Sequence, residues 1–287
     1  MFQILIVSVT SLGLTLGACL PVKAESASER IKRTGVLNAG VRMDAVPFSY
    51  LDQNGRPQGY AVELTQLIQR QLEQELGKPI QLNLEVINLD NRFEQVQSGQ
   101  VDLYCGATSI TPERERIVDF SIPFFTSGIQ LLVRQEDALR LDPTRISEEE
   151  LQQAQSGQVA IGFLQNTTTD TEFREVYPGA SWQALKNRAA GVRQLRDRSL
   201  SAIASDGILL LGELWLQGEA FEQFRLVPEE PLTFEDYGCI LPEGDQALGE
   251  IVNQTITSPA NTQLWQQWFD QDTGRFPYKR FGASVKP

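Results

Sequence analysis

Hydroxyl groups, a proline and an arginine stand close together in the stretch ATSITPERERIVDFS, residues 107–121. Thr111 and the proline after it are typical of a helix start, because a hydroxyl caps free backbone N–H groups and proline suits the first helical position. Arg114 would then lie in the first turn, where the helix dipole disfavours a cation unless an anion accompanies it. Together with the Ser109 hydroxyl, this pattern predicts a carboxylate site. The alternative is an ordinary helix start whose Arg114 extends into solvent or pairs with Asp119.

The composition narrows the chemistry of such a site. A net charge of −12 argues against nucleic acid as a partner, because an acidic chain cannot neutralise a row of phosphates. The chain has no histidine, and therefore lacks the usual base near neutral pH and the commonest metal ligand. The cysteines at positions 19, 105 and 239 show no paired metal-site spacing. We therefore predict neither a metal site nor a cofactor.

The first 24 residues predict an export signal, because they carry no charge from Met1 to Val22 and end in VKA. Two processing sites compete within it. LGAC at 16–19 resembles a bacterial lipobox, which would make Cys19 a lipidated residue, whereas VKA at 22–24 resembles an ordinary cleavage site. An uncleaved membrane anchor is a third interpretation, since about 20 apolar residues can span a bilayer. Export predicts a periplasmic protein, with a lipid anchor only if Cys19 is modified.

Hydrophobic periodicity predicts strands and helices in alternation. Strands are predicted over 36–42, 79–87 and 101–107, and helices over 59–77 and 91–99. The second half repeats this rhythm, with helices predicted over 146–157, 167–178 and 207–217, strands over 158–163, 200–206 and 234–242, and two helices within 245–270. This order predicts an α/β fold with mostly parallel sheets and helices on their faces.

Segments along nearly the whole mature chain resemble the polar amino-acid family of bacterial extracytoplasmic solute-binding proteins. They are VRMDAVPFSYLDQNGRPQGYAVEL, NRFEQVQSGQVDLYCGATSITPERERIVDFSIPFF, QNTTTDTEF, SAIASDGIL and EDYGCILPEGDQAL. The resemblance implies a two-lobed receptor of the periplasmic-binding-protein type II fold, with two crossover strands between the lobes. It also implies a monomeric protein that is no enzyme. Such a protein closes over one free amino acid and delivers it to the membrane permease of an ABC importer.

The division of the chain follows from the crossovers, which we expect around 126–134 and 228–236. Lobe 1 is then predicted to comprise 25–130 together with 235–287. Lobe 2 is predicted to comprise 131–234.

By position, the resemblance assigns five residues to the ligand. Arg114 would bind the α-carboxylate, with the Ser109 hydroxyl beside it, and Thr167 would reach the same group from lobe 2. The backbone carbonyl of Ala107 and the carboxylate of Asp206 would accept the α-ammonium group. Asp206 has a plainer interpretation as the N-cap of the next helix, and both roles are compatible.

The sequence departs from the family pattern at Asn166, where a glycine is usual. Asparagine tolerates left-handed backbone conformations, so the loop is expected to keep its shape. Donation of a backbone N–H group to the ligand at this position does not follow from the resemblance.

Two arginines are candidates for contact with the ligand side chain. Arg42 ends the first strand, at a position that looks like an aspartate in relatives that select lysine, arginine or histidine. Arg92 could converge with it, and a neutral ligand would leave both charges poorly compensated. The surroundings YCGATS and DYGC also resemble the glutamate/aspartate-binding branch, so we predict an acidic amino acid. Internal ion pairs for either arginine remain an alternative, as does glutamine, asparagine or broad polar specificity.

Export also affects the interpretation of the cysteines. If Cys19 is lipidated or removed, Cys105 and Cys239 remain in an oxidising compartment, where a disulfide is expected. The alternative is two buried free thiols, which pack as small apolar groups.

Two other classes of protein share such a carboxylate site. A few proteins of this fold resemble dehydratases of cyclic acids, and here the acid or base would have to be Asp44, Glu63 or Asp206. A sensory domain would need a membrane segment, and the tail TGRFPYKRFGASVKP holds no apolar run of spanning length.

Overall fold

The computed structural model describes residues 25–145, 147, 149, 159–270 and 272–276. The predicted export signal, with its lipidation candidate Cys19, lies outside the described residues. So does most of the helix predicted over 146–157. These remain predictions.

Helices and strands alternate along the described chain. The α-helices are α1 (Ala27–Thr34), α2 (Tyr60–Leu76), α3 (Arg92–Gln97), α4 (Ala138–Leu141), α5 (Thr168–Glu172), α6 (Arg188–Arg196), α7 (Gly207–Gln217), α8 (Gln246–Ile256) and α9 (Pro259–Phe269). The strands are β1 (Val36–Val41), β2 (Asp44–Ala45), β3 (Ser49–Leu51), β4 (Pro57–Gln58), β5 (Gln81–Val86), β6 (Leu103–Tyr104), β7 (Asp119–Phe120), β8 (Phe125–Ser127), β9 (Ile129–Arg134), β10 (Ala160–Phe163), β11 (Ser181–Ala184), β12 (Ala202–Asp206), β13 (Phe224–Val227), β14 (Glu235–Tyr237) and β15 (Ile240–Leu241).

A five-stranded sheet forms the centre of each lobe, in the order β5-β1-β6-β15-β7 in lobe 1 and β11-β10-β12-β9-β13 in lobe 2. In the described chain, each sheet has one strand antiparallel to its neighbours, β15 in lobe 1 and β9 in lobe 2. Each of these strands comes directly after a crossover, because the chain enters there from the opposite lobe. The predicted α/β architecture with mostly parallel sheets is confirmed.

The two lobes are joined by a short antiparallel ribbon. Strand β8 pairs with β14, and Glu235 lies opposite Ser127. The predicted pair of crossover strands is therefore confirmed. Strand β9 begins at Ile129, two residues before the predicted start of lobe 2. The strand predicted over 234–242 is divided, because β14 belongs to the ribbon and β15 to the sheet of lobe 1.

Helix α2 of lobe 1 has apolar residues at helical spacing along its buried face. Its residues Tyr60, Leu64, Ile68 and Leu72 recur at four-residue spacing and are buried. The helix ends before Gly77, whose φ of 63° is a left-handed conformation that glycine adopts without a steric penalty.

In the described part of the chain, we find no helix that combines the length and apolar character needed to cross a membrane.

Two predicted helices are shorter than expected. The helix predicted to begin at Thr111 is a single 3-10 turn, Arg114–Arg116, because strand β7 begins only three residues later. The helix predicted over 167–178 consists of α5 and a following 3-10 turn. Its first residues are threonines, which are stiff at χ1 and bond to the backbone, as the Thr171 hydroxyl does with the Thr168 carbonyl at 3.2 Å.

The lobes also contact each other away from the ribbon, where helix α7 lies against the hairpin of β2 and β3. A Cβ atom at Gly212 would stand 2.2 Å from the carbonyl oxygen of Val46, so only glycine allows this approach. The rings of Tyr50 and Trp215 meet edge to face, with centroids 6.0 Å apart. These contacts continue the apolar core from one lobe into the other.

Cys105 and Cys239 form a disulfide, as predicted. Cys105 follows β6 and Cys239 precedes β15, and these two strands are neighbours in the sheet of lobe 1. The sequence separation of 134 residues means that the closed loop contains all of lobe 2. The bond therefore fixes the returning chain against the first lobe.

We expect reduction of this disulfide to lower the melting temperature of the protein by about 10 °C. Opening so long a loop restores chain entropy to the unfolded state, about 5 kcal/mol in the chain-entropy model. Differential scanning calorimetry with and without reductant would measure the shift. The double variant Cys105→Ser/Cys239→Ser should melt at the lower temperature in both buffers. An unchanged curve together with two titratable thiols would contradict the prediction.

Candidate functional site

A cavity of about 660 Å³ opens where the two lobes face each other. Lobe 1 contributes Arg92 and Arg114 to its wall, and lobe 2 contributes Thr167 and Thr168. A second cavity, of about 550 Å³, shares Thr168 with the first and is lined also by Ser109 and Glu235. Both volumes lie within the usual range for small-molecule sites.

Arg114 lines the first cavity. The prediction that it lies in the first turn of an α-helix was wrong. It stands in a 3-10 turn, so no α-helix dipole acts on it. Its Nη1 atom donates to the backbone carbonyl of Ser109 at 2.6 Å, and its guanidinium lies 5.7 Å from the ring centre of Phe93. Asp119, the alternative partner, accepts a hydrogen bond from the backbone N–H of Gly244 at 2.8 Å.

Hydroxyl groups of both lobes converge on one carboxylate. The Ser109 hydroxyl of lobe 1 and the Thr168 hydroxyl of lobe 2 both donate to Oε2 of Glu235, the latter at 2.8 Å. All three side chains are buried. The sequence predicted Ser109 but neither of the other two residues.

Thr167 stands at the N-cap position of α5, and its hydroxyl donates to the Leu164 carbonyl at 2.7 Å. Asn166 has a φ of 61°, the left-handed conformation that the sequence allowed for it. Its carbonyl accepts from Nη2 of Arg92 at 3.2 Å, and its side-chain amide donates to Asp90 at 2.7 Å. Asn166 thereby bonds to lobe 1 at the edge of the cleft.

Asp206 is buried at the N-cap position of α7, yet its side chain makes no capping hydrogen bond. It accepts instead from the hydroxyl of Tyr237. Burial, and then the negative charges of Asp206 and Glu235, raise the pKa of Tyr237, which therefore keeps its proton. Ala107, whose carbonyl was predicted to face the ligand ammonium, lies half-buried against the core.

Arg42 is almost fully buried and forms a two-pronged ion pair with Asp44, with donor–acceptor distances of 2.9 and 3.0 Å. Burial alone would lower the pKa of this arginine, but Tyr104 and Asp44 outweigh burial and raise it. The internal ion pair that the sequence left open is therefore present at Arg42. Its charge is already compensated within the protein.

Arg92 is buried, and no acidic residue of the described chain is its hydrogen-bond partner. Its Nη1 donates to the Leu89 carbonyl and its Nη2 to Asn166, while Nε has no hydrogen-bond partner among the described residues. Burial, followed by the charges of Arg114 and Arg42, lowers the pKa of Arg92 to about 9. A nearby anion would stabilise this cation.

The sequence reasoning missed Arg188, a buried arginine of lobe 2. Its Nε donates to the Ser205 hydroxyl at 2.9 Å, and Nη1 lacks a partner in the part of the chain that the structure describes. Burial, followed by the charge of Arg42, lowers its pKa. Arg42, which likewise acts on Arg92, is thus an electrostatic neighbour of both buried cations.

A signal for Arg188 was present in the sequence. Asn187 caps helix α6 by accepting from the Ala190 N–H at 2.8 Å, and Arg188 is the first helical residue. A cation at the positive end of a nine-residue helix requires an explanation. This is the argument that was applied to Arg114, where the helix proved to be a single turn.

Comparison with known proteins accords with this architecture. A family model described as bacterial extracellular solute-binding proteins, family 3, matches residues 37–271. The L-glutamate/L-aspartate-binding protein of Pseudomonas aeruginosa is 27% identical over 249 residues, which cover 85% of this chain and 80% of that protein. The ABC transporter glutamine-binding protein of Bacillus subtilis is 23% identical over 247 residues, covering 84% of each chain.

Among solved structures, an ancestral amino acid-binding protein described as a precursor of cyclohexadienyl dehydratase superposes with a TM-score of 0.70. It is 24% identical and covers 85% of this chain and 99% of its own. The chain has the two-lobed type II periplasmic-binding-protein fold and belongs to the bacterial extracellular solute-binding proteins, family 3.

Proposed function

We propose that the protein is an exported receptor that binds one acidic L-amino acid between its lobes and delivers it to the permease of an ABC importer. The observation that carries the acidic specificity is the pair of buried arginines, Arg92 in lobe 1 and Arg188 in lobe 2. Each retains an N–H group without a partner among the described residues. A side-chain carboxylate between them would supply the missing acceptor.

Recognition of the amino acid itself is assigned to other groups. Arg114 is proposed to bind the α-carboxylate; Thr168 lines the same cavity, and Ser109 lines the second cavity, which also includes Thr168. Asp206, oriented by Tyr237, is proposed to accept the α-ammonium group. Because these groups belong to both lobes, a bound amino acid would favour the closed arrangement.

Charge decides the proposed identity of the ligand side chain. A neutral side chain would leave two buried guanidinium groups without a carboxylate hydrogen-bond partner among the described residues, which is costly in a poorly hydrated site. A carboxylate can accept from both at once. The relative from Pseudomonas aeruginosa is named for glutamate and aspartate, which is the same class of ligand.

Glutamine is the second candidate for the ligand. Arg42 is fully paired with Asp44, so one of the two arginines chosen from the sequence no longer demands an anion. A relative named as a glutamine-binding protein matches over a similar length. An amide oxygen could accept from Arg188, though without balancing its charge.

Binding rather than catalysis is favoured by the state of the carboxylates. Asp44 is held by Arg42, and Asp206 accepts from Tyr237. Glu63 of α2 accepts from the indole of Trp268 on α9 at 3.2 Å and pairs with Arg275, which follows α9. Asp44 and Glu63 are therefore held in ion pairs, and one oxygen of Asp206 accepts from the Tyr237 hydroxyl.

The energies are consistent with a transport receptor. A micromolar dissociation constant requires about 8 kcal/mol of net binding free energy. Hydrogen bonds to charged groups contribute around 1.5–3 kcal/mol each. Several of them, less the cost of ordering the lobes, are sufficient without much apolar burial.

A thermal-shift panel of the twenty amino acids, followed by titration calorimetry, tests the proposal. We expect L-glutamate and L-aspartate to raise the melting temperature most, because stabilisation follows the ratio of ligand concentration to dissociation constant. Glutamine in first place would overturn the acidic assignment and leave amino-acid binding intact. Lysine or leucine in first place would overturn the assignment of Arg92 and Arg188 altogether.

A further inference from the structure

Glu235 connects the two lobes through hydroxyl groups. It lies on the crossover strand β14, opposite Ser127 of β8, and only 7% of its surface is exposed. Its Oε2 atom accepts from Ser109 of lobe 1 and from Thr168 of lobe 2. One anionic oxygen is thus bonded to both walls of the cleft.

These two hydroxyls cannot serve a second acceptor at the same time, because a hydroxyl has a single proton to donate. Ser109 is the hydroxyl that the family resemblance places beside the ligand α-carboxylate. Thr168 directly follows Thr167, which the resemblance assigns to the same carboxylate. Glu235 and an incoming amino acid therefore require the same donors, and both present a carboxylate to them.

We propose that Glu235 is an internal competitor of the ligand. Its carboxylate occupies the Ser109 and Thr168 hydroxyls while no amino acid is bound, draws the lobes together, and is displaced by the ligand α-carboxylate. This inference rests on the proposed function, since it requires an amino acid in this cleft. The competition lowers affinity for every amino acid alike, because the α-carboxylate is common to all of them.

A second acid, Asp206, is better placed than Glu235 to bind the ligand directly. Asp206 is already oriented by the Tyr237 hydroxyl and is available for the α-ammonium group. Glu235 is instead engaged with hydroxyl donors, the partners that suit a carboxylate rather than an ammonium group. A self-closing contact also shifts the balance of open and closed forms before any ligand arrives.

The test compares wild type with Glu235→Gln and Glu235→Ala. Titration calorimetry with L-glutamate and with L-glutamine should give dissociation constants about tenfold lower in Glu235→Ala, as expected when a hydrogen bond to a charged group no longer has to be broken. Glu235→Gln should show a smaller gain. Small-angle scattering without amino acid should give a larger radius of gyration for both variants than for wild type.

Glu243→Gln is the matched control, since it removes the same charge from an exposed residue in the turn after β15. We expect it to change neither the dissociation constants nor the radius of gyration. Weaker binding in the Glu235 variants would mean that Glu235 contacts the ligand, and unchanged values would mean that it is structural. Either outcome overturns the inference. If neither probe binds wild type, the proposed function fails, and scattering still decides whether Glu235 holds the lobes together.

Discussion

Replacing Arg114 with alanine is expected to abolish binding of every amino acid, whether acidic or neutral. The guanidinium is proposed to pair with the α-carboxylate, and the variant would leave that charge buried without a countercharge. Loss of one partner from a buried ion pair costs about 3–5 kcal/mol, which raises a dissociation constant at least a hundredfold. Titration calorimetry with L-glutamate and L-glutamine would measure the loss.

Arg116→Ala provides the control for this variant. Arg116 lies in the same 3-10 turn and is exposed. It should bind both amino acids as wild type does, because it removes an equal charge from the surface. If Arg114→Ala retains wild-type affinity, the α-carboxylate is held elsewhere and the proposed arrangement of the cleft is wrong.

Most helices and strands could be predicted from the sequence because their apolar residues recur at helical or strand spacing. Helix α2 and strand β5 end within two residues of their predicted limits. Helix α1 was missed although Ser26 and Glu29 form a capping box and Gly35 ends the helix in a left-handed conformation. Strands β9 and β13 were also missed, since β9 lies inside the stretch read as a crossover, and only the pairing of the two strands identifies them.

The site was predictable only where chemistry is local in the sequence. Arg114 and Ser109 stand in one short motif, and the structure brings them to the cleft. Glu235 is 126 residues from Ser109, and no local pattern reveals their contact. Arg42 was predicted to face the ligand from the reversal of its charge, with an internal ion pair as the alternative, and the structure shows an ion pair with Asp44, two residues away. The role of Arg42 toward a ligand stays a prediction.

Arg188→Met is expected to separate acidic from neutral ligands. Its guanidinium is proposed to bind the side-chain carboxylate, so affinity for L-glutamate should fall about a hundredfold, the equivalent of one charge-assisted pair. Affinity for L-glutamine, which carries no side-chain charge, should change severalfold at most. Titration calorimetry of both ligands gives the ratio directly.

The stability of this variant separates a binding role from a structural one. Arg188 is buried without an acidic hydrogen-bond partner among the described residues. Replacing a buried charge with an apolar residue of similar volume is often neutral or stabilising. The methionine variant should therefore melt, without ligand, at the same temperature as wild type or at a higher one. Arg193→Met, on the exposed face of the same helix, should leave both affinities unaltered. A residue needed for the fold would instead lose stability and both ligands together when replaced. Equal weakening of glutamate and glutamine would therefore remove Arg188 from the specificity site, and with it the strongest reason to assign an acidic ligand.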